Sequence, residues 1–284
     1  MKLKQLVNLM KHLFLTGLFL FSIVSFSQES TDFNDAGPNK GKFFAYWGWN
    51  RGHYSDSDIT FKGDDYNFTL SNVESKDKPK PFGIYYFKID EITIPQTNFR
   101  IGYFFKENYT VSIGVDHMKY VMKNDQSVKF KGDLPSGSDA FVSGNEIVLS
   151  EDFLLFEHTD GLNYINAEVS RFDNSDDWLK FNVKNIDINL TEGIGVGILY
   201  PKTNTTLLGK ERYDEFHVSG FGISAHAGLN ITFFKHFFIQ SNIKVGYINM
   251  QDIRTTVSTS DSAAQHFTFF ENMYVFGARF GLGK

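Results

Sequence analysis

His217 and Ser219 stand two residues apart in a stretch with strand-like alternation. On an extended backbone, residues i and i+2 point the same way, so the imidazole can reach the hydroxyl. A Ser deprotonated by a His, with Glu211 or Glu215 to orient the ring, is an acyl-transfer nucleophile. The pair is the candidate catalytic site; a loop-end His and Ser without chemistry is the plainer reading of the same residues. Other look-alikes fail on context. Gly193-Ile194-Gly195-Val196-Gly197 mimics a phosphate loop, but a helix must follow one, and Ile198-Leu199-Tyr200-Pro201 keeps strand character. Asp173-Asn174-Ser175-Asp176-Asp177 resembles a calcium loop, yet Trp178 and Lys184 stand where Gly and Glu are required. There is no His-Glu-x-x-His and no Cys, so thiolate metal sites and thiol chemistry are excluded. No cofactor and no metal site is expected.

Positioning these side chains falls to segments with a period of two. The clearest is Thr97-Asn98-Phe99-Arg100-Ile101-Gly102-Tyr103, apolar or β-branched at odd positions and amide, cation or glycine at even ones. Such alternation is a β-strand with unlike faces. Strands are expected at 42–50, 96–105, 109–122, 161–172, 187–200, 219–234, 237–250 and 266–282. The links alternate: Lys106-Glu107-Asn108 and Lys235-His236 are tight and 173–186 is moderate, whereas 51–95, 123–160, 201–218 and 251–265 are long and polar. Short turns on one side and long loops on the other, with an even strand count, predict an all-β fold: an eight-stranded antiparallel transmembrane β-barrel with long extracellular loops. A soluble β-sandwich or lipocalin-like barrel is the competing architecture. Ten strands result if 57–72 and 82–94 form a hairpin in the wall.

The faces follow from parity. Arg100, Asp116, Glu168, His226, Gln240, Lys244 and Arg279 share one side with Gly102, Gly114, Gly193, Gly195, Gly197 and Gly228. Small residues suit the crowded inside of an eight-stranded barrel and would only weaken an outer face. Glu192 falls on the lipid side, where a charge is costly, so a bulge is expected to turn it inward. Arg100, Asp116, Glu168, Glu192, Lys244 and Arg279 then form an interior cluster of three cations and three carboxylates. The first strand, Phe43-Phe44-Ala45-Tyr46-Trp47, is apolar on both faces. Aromatics are expected in two interfacial belts: Phe43, Phe44, Phe104, Phe105, Phe172 and Phe238 by the short turns, and Trp47, Trp49, Tyr120, Tyr200, Phe221 and Tyr247 by the long loops.

Residues 1–27 read as a secretory leader. Lys2, Lys4 and Lys11 precede an apolar run from Leu13 to Phe26, and Ser25 and Ser27 set cleavage before Gln28. Residues 28–41 are then a short periplasmic N-terminal segment and 42–284 the barrel, placed in the outer membrane. Without the leader's three lysines the chain holds 25 basic and 33 acidic residues. An acidic chain with scattered charge is a poor partner for nucleic acid.

The pattern over 42–284 resembles the small outer-membrane β-barrels of Gram-negative bacteria, a group that includes adhesin-like, OmpA-like and OmpW-like barrels. The run Glu192-Gly193-Ile194-Gly195-Val196-Gly197-Ile198-Leu199-Tyr200-Pro201-Lys202-Thr203-Asn204 and the later Phe216-His217-Val218-Ser219-Gly220 are similar to such barrels. Members usually end on an aromatic residue, whereas here Gly-Leu-Gly-Lys follows Phe280. The resemblance implies assembly by the barrel assembly machinery and contact with outer-membrane lipid and lipopolysaccharide. A structural, adhesive or ligand-binding surface role is expected, with loops 51–95 and 123–160 meeting a surface ligand or protein. One alternative is a narrow channel for small or hydrophobic solutes. Another is a lipid A-modifying hydrolase, since His217-x-Ser219 is similar to the His-x-Ser arrangement of the outer-membrane lipid A deacylases.

Overall fold

The computed structural model describes residues 39–81, 83, 86, 95–136, 142–181 and 183–281. The expected leader, its cleavage point and the rest of the chain to residue 38 lie outside the described residues, as does most of 82–94. In chain order the strands are β1 (Phe43–Tyr54), β2 (Ser57–Lys62), β3 (Asn67–Val73), β4 (Ser75–Lys76), β5 (Thr97–Lys106), β6 (Tyr109–Met122), β7 (Ser127–Asp133) and β8 (Val142–Ser143). They continue with β9 (Glu146–Val148), β10 (Leu154–Asn174), β11 (Ile186–Leu199), β12 (Asn204–Leu207), β13 (Gly220–Phe233), β14 (Phe237–Arg254) and β15 (Ser262–Phe280). One short helix, α1 (Asp176–Leu179), lies in the link after β10.

Eight strands close a ring in the order β1-β5-β6-β10-β11-β13-β14-β15, and β15 pairs back onto β1 from Phe43↔Phe280 to Tyr54↔Phe269. Every pair in the ring is antiparallel. Each expected strand overlaps one of these eight. The segment 57–72 pairs within itself as the hairpin β2–β3, which joins β15 only at Ser262–Gln265, above the ring. The ring closes with eight strands, and the expected partner 82–94 lies mostly outside the described residues.

Alternation sets the faces. On β11, Ile194, Val196 and Ile198 point out, 69%, 59% and 45% exposed, while Gly193, Gly195 and Gly197 point in. Phe99, Ile113, Val169, Ile223, Ile239 and Phe276 continue the exposed apolar surface around the ring. A continuous apolar belt of this extent is not a water-facing surface; it is the lipid-facing band of a transmembrane barrel. No helix among the described residues is long and apolar enough to cross a membrane; the crossing is made by strands. On β1 the structure separates the faces the sequence leaves open: Phe44, Tyr46, Gly48 and Asn50 are buried, and Phe43, Ala45, Trp47 and Trp49 face outward.

The inward glycines make room. A Cβ at Gly195 would lie 2.7 Å from Glu168 Cγ, and one at Gly114 would lie 2.9 Å from Arg100 Cζ. Larger residues there would displace the charged side chains that fill the lumen.

About ten residues cross a bilayer in a tilted strand. β10, β14 and β15 are 21, 18 and 19 residues long, and the surplus rises on the long-loop side. There β15 extends into β2, β3, β7, β9 and β8 as one antiparallel sheet, while β12 joins β10 and β4 joins β6. Ile59, Phe61, Phe68, Leu70, Phe156 and Phe267 are among the residues of an apolar core inside this cap, each 2% exposed or less. The described parts of the long loops therefore form a folded β-cap rather than a solvated rim.

Candidate functional site

The middle of the lumen is an ion cluster. Lys244 Nζ lies 2.5 Å from Asp116 Oδ2 and 2.8 Å from Glu168 Oε1. The Arg100 guanidinium lies 3.0 Å from Glu168 Oε1 and donates to Tyr46 Oη, Ser112 Oγ and Asn166 Oδ1. Arg100, Asp116, Glu168 and Lys244 are all 3% exposed or less. Four strands supply them, β5, β6, β10 and β14, because inward parity on each places one charge at the same depth. Pairing satisfies charges that would be expensive alone in this setting.

Two expected members lie elsewhere. β11 pairs with β10 from Asn189 to Leu199 and with β13 from Ile186 to Leu199 without a register shift, so the bulge near Glu192 does not form. Glu192 faces outward, opposite Arg171 on β10, which also bonds Asp173 at 2.9 Å. A neighbouring cation, rather than a shifted register, accompanies that outward carboxylate. Arg279 does point inward, but at the short-turn end, where Phe104, Phe172 and Phe238 surround it at 5.3, 5.5 and 5.9 Å. Its hydrogen bonds go to Asn39 and Asn230, both at 3.3 Å. Cation–π contact takes the place of the expected carboxylate. The same rings correct the belt assignment: Phe44, Phe104, Phe172 and Phe238 are a buried aromatic floor, not a lipid-facing girdle. Tyr120 likewise sits in the cap core.

Further groups join the cluster, among them His226, whose Nδ1 lies 3.5 Å from Glu168 Oε2. Asn98 Nδ2 donates to Asp116 Oδ1 at 2.7 Å and to Glu271 Oε1 at 3.0 Å, and Asn166 Nδ2 donates to Asp116 Oδ2 at 2.9 Å. Glu271, fully buried, stands opposite Lys244 in the β14–β15 register. Its parity matched that of Gly277 and Arg279 on the same strand, a signal sufficient to place it inside. From Asn98 the polar chain climbs through Asn50 and Gln96 to Asp77 beneath the cap.

The lumen is thus filled in three layers: aromatic floor, ion cluster and apolar cap core. Reconstituted in planar bilayers, the mature chain is expected to show no discrete single-channel steps; stable stepwise conductance would show that this filling gives way.

His217 and Ser219 are not joined. His217 Nε2 meets Asp252 Oδ2 at 2.8 Å, whereas the Ser219 hydroxyl's partner is the backbone carbonyl of His217, 3.4 Å away. Continuation from Phe221 puts Ser219 on the lipid face, but a register shift between Met250 and Ile253 intervenes. The Ser219 carbonyl accepts both the Gln251 and Asp252 N–H groups, at 2.8 and 3.2 Å, and the residue is 3% exposed. Glu215 is taken by the Tyr213 hydroxyl instead of the imidazole.

Asp261, just before β15, accepts from Lys210 Nζ at 2.8 Å and Thr256 Oγ1 at 2.7 Å. Lys210 Nζ also lies 4.8 Å over the Tyr66 ring, which pins the cap to the link between β14 and β15. Burial opposes the Asp261 charge, but these bonds hold its pKa below the ordinary carboxylate value. A depressed carboxylate contributes its stability above its unfolded pKa and loses it only as pH falls through the lower folded value. The pin therefore persists into acid further than an unpaired Asp would.

No family model and no curated protein matches this chain. Among solved structures it is similar to the outer membrane protein AlkL in lipid bilayers, at 15% identity over 90% of this chain and 98% of that one, with a TM-score of 0.42. It is similar also to the outer membrane protein OprG from Pseudomonas aeruginosa, at 9% identity over 86% and 98% of the two chains, with a TM-score of 0.41. Ail, the attachment invasion locus protein of Yersinia pestis, is similar at 11% identity over 85% and 99%, with a TM-score of 0.32.

Proposed function

For a small outer-membrane β-barrel whose lumen is filled along its length, we propose a surface-display role: the barrel anchors the folded cap, and the cap binds a ligand or partner outside the cell. The observation that carries this is the cap's apolar core, shared with the upper ends of β6, β10, β14 and β15, which fixes an extended sheet instead of leaving mobile loops. Function concentrates on segments that a rigid scaffold holds out. The sheet's outer face is polar, with Thr60 and Thr69 hydrogen-bonded across β2 and β3 at 2.9 Å and Lys129 and Lys131 exposed on β7. A polar, preordered face binds without a large ordering cost.

The test is adhesion by whole cells. Cells displaying the wild-type chain should bind members of a panel of immobilised glycans and matrix proteins. Replacing residues 127–149 by a short Gly/Ser turn should abolish that binding while the barrel still migrates differently before and after boiling. Equal binding by the two would remove the cap from the function.

A further inference from the structure

The outer rim above β11 and β13 carries a second feature that cap binding does not use. Beyond β11, residues 200–205 run antiparallel to 213–217, with bridges Lys202↔Phe216 and Thr205↔Tyr213 and a bond from His217 N–H to the Pro201 carbonyl at 3.1 Å. Tyr200 and Phe216 stack at 5.3 Å with 18° between their planes. Both are exposed, as are Val218 and Phe221 below them. This patch continues the lipid-facing line Ile194, Val196 and Ile198 without a break, so it lies at the upper edge of the membrane.

Directly above the aromatic pair stand two cations. Lys202 Nζ lies over the Phe216 ring at 5.9 Å. It is 4.0 Å from Asp160 and 3.6 Å from Asp214, while Arg212 Nη2 is 3.9 and 3.6 Å from the same two carboxylates. These separations hold the cations side by side, yet all exceed hydrogen-bond reach. Among the described residues neither Lys202 Nζ nor the Arg212 guanidinium makes a hydrogen bond within the protein, so their N–H donors are open to a ligand at headgroup height.

We propose that this rim is a binding site for a phosphorylated lipid of the outer leaflet. Lys202 and Arg212 donate to its phosphate, and an acyl chain lies along Tyr200, Phe216, Val218 and Phe221. Charge-assisted bonds from Arg and Lys are the usual means of holding phosphate, and basic sites at membrane boundaries select charged headgroups. Continuity with the lipid belt makes the occupant a lipid rather than a soluble anion. Asp160 and Asp214 align the two cations and also oppose a phosphate, so they moderate the affinity.

Native mass spectrometry of the mature chain in detergent micelles, titrated with bis-phosphorylated lipid A, tests this. K202Q/R212Q should weaken binding by about tenfold or more, the scale of losing one or two charge-assisted bonds. Dephosphorylated lipid A should bind the wild type correspondingly weakly, and D160N/D214N should bind the phosphorylated lipid more tightly. Millimolar inorganic phosphate should not displace it. Equal affinity in wild type and K202Q/R212Q, or equal affinity for dephosphorylated lipid, would overturn the proposal, as would displacement by inorganic phosphate. Should the double variant not fold, K202Q and R212Q are measured singly, each with about a threefold loss expected. The cap deletion used above should retain lipid binding, which separates this site from the surface-display role.

Discussion

Lys244→Ala is expected to cost the barrel at least about 3–5 kcal/mol, the penalty for leaving a buried ion without its partner. The Lys244 ammonium serves two carboxylates, Asp116 at 2.5 Å and Glu168 at 2.8 Å, from a position 1% exposed. Removing it leaves Glu168 with Arg100 at 3.0 Å, but leaves Asp116 only amide donors, Asn98 and Asn166. Two amides solvate a carboxylate without neutralising it, so the cost falls chiefly on Asp116. Urea unfolding in detergent, followed by tryptophan fluorescence, reads the loss as a lower midpoint. Glu271→Gln is the contrast. In this layer Arg100 and Lys244 face Asp116, Glu168 and Glu271, and Glu271 Oε2 has no hydrogen-bond partner among the described residues. Replacing this surplus carboxyl by an amide should be neutral or stabilising. A Lys244→Ala midpoint equal to wild type would mean that the lumen admits water enough to solvate the carboxylates.

Why parity reads so well here, and depth so poorly, is visible in individual residues. Alternation is local: Thr97 to Tyr103 states its two faces in seven consecutive letters, and the glycines confirm which face is crowded. The inward direction of Arg100, Asp116, Glu168, Lys244 and Arg279 was therefore legible. Their grouping was not, because the height of a residue in a barrel depends on the stagger between strands far apart in sequence. Arg279 shares parity with Lys244 but sits a layer lower, among Phe104, Phe172 and Phe238. Bulges fail for the same reason. The cost of a lipid-facing charge predicts one at Glu192; the chain places one at Gln251 and Asp252, whose N–H groups both meet the carbonyl of the buried Ser219, and His217 pairs with Asp252 instead of a hydroxyl. The strand-like letters of 59–73 were readable, but pairing β2 onto β15 joins segments about two hundred residues apart, and no local pattern encodes it.

Phe68→Ala is expected to unfold the cap while leaving the barrel closed. The Phe68 ring is 1% exposed and packs against Phe61, Tyr66, Phe130 and Phe153 at 5.2, 5.9, 5.5 and 5.9 Å. Truncating a Phe in such a core typically costs about 3–5 kcal/mol through lost transfer energy and the cavity left behind. The cap has little to absorb that. Besides the apolar core that Phe68 itself belongs to, it is held by a four-residue register from β15 to β2, by short strands of which β8 and β9 have two and three residues, and by the Asp261 pin. The ring pairs involve no residue of β3, so its closure does not depend on this side chain. Trypsin on intact cells should then cut the variant at Lys129 and Lys131 far faster than wild type, because cleavage follows the population of the opened segment. Unheated samples of both should still migrate differently from boiled ones. If trypsin cuts the two proteins equally fast, the cap is not a cooperative folded unit, and the surface-display role loses the rigid platform it depends on. If instead the variant loses its heat-dependent migration, the apolar core above the membrane is part of what closes the barrel, and cap and wall fold as one.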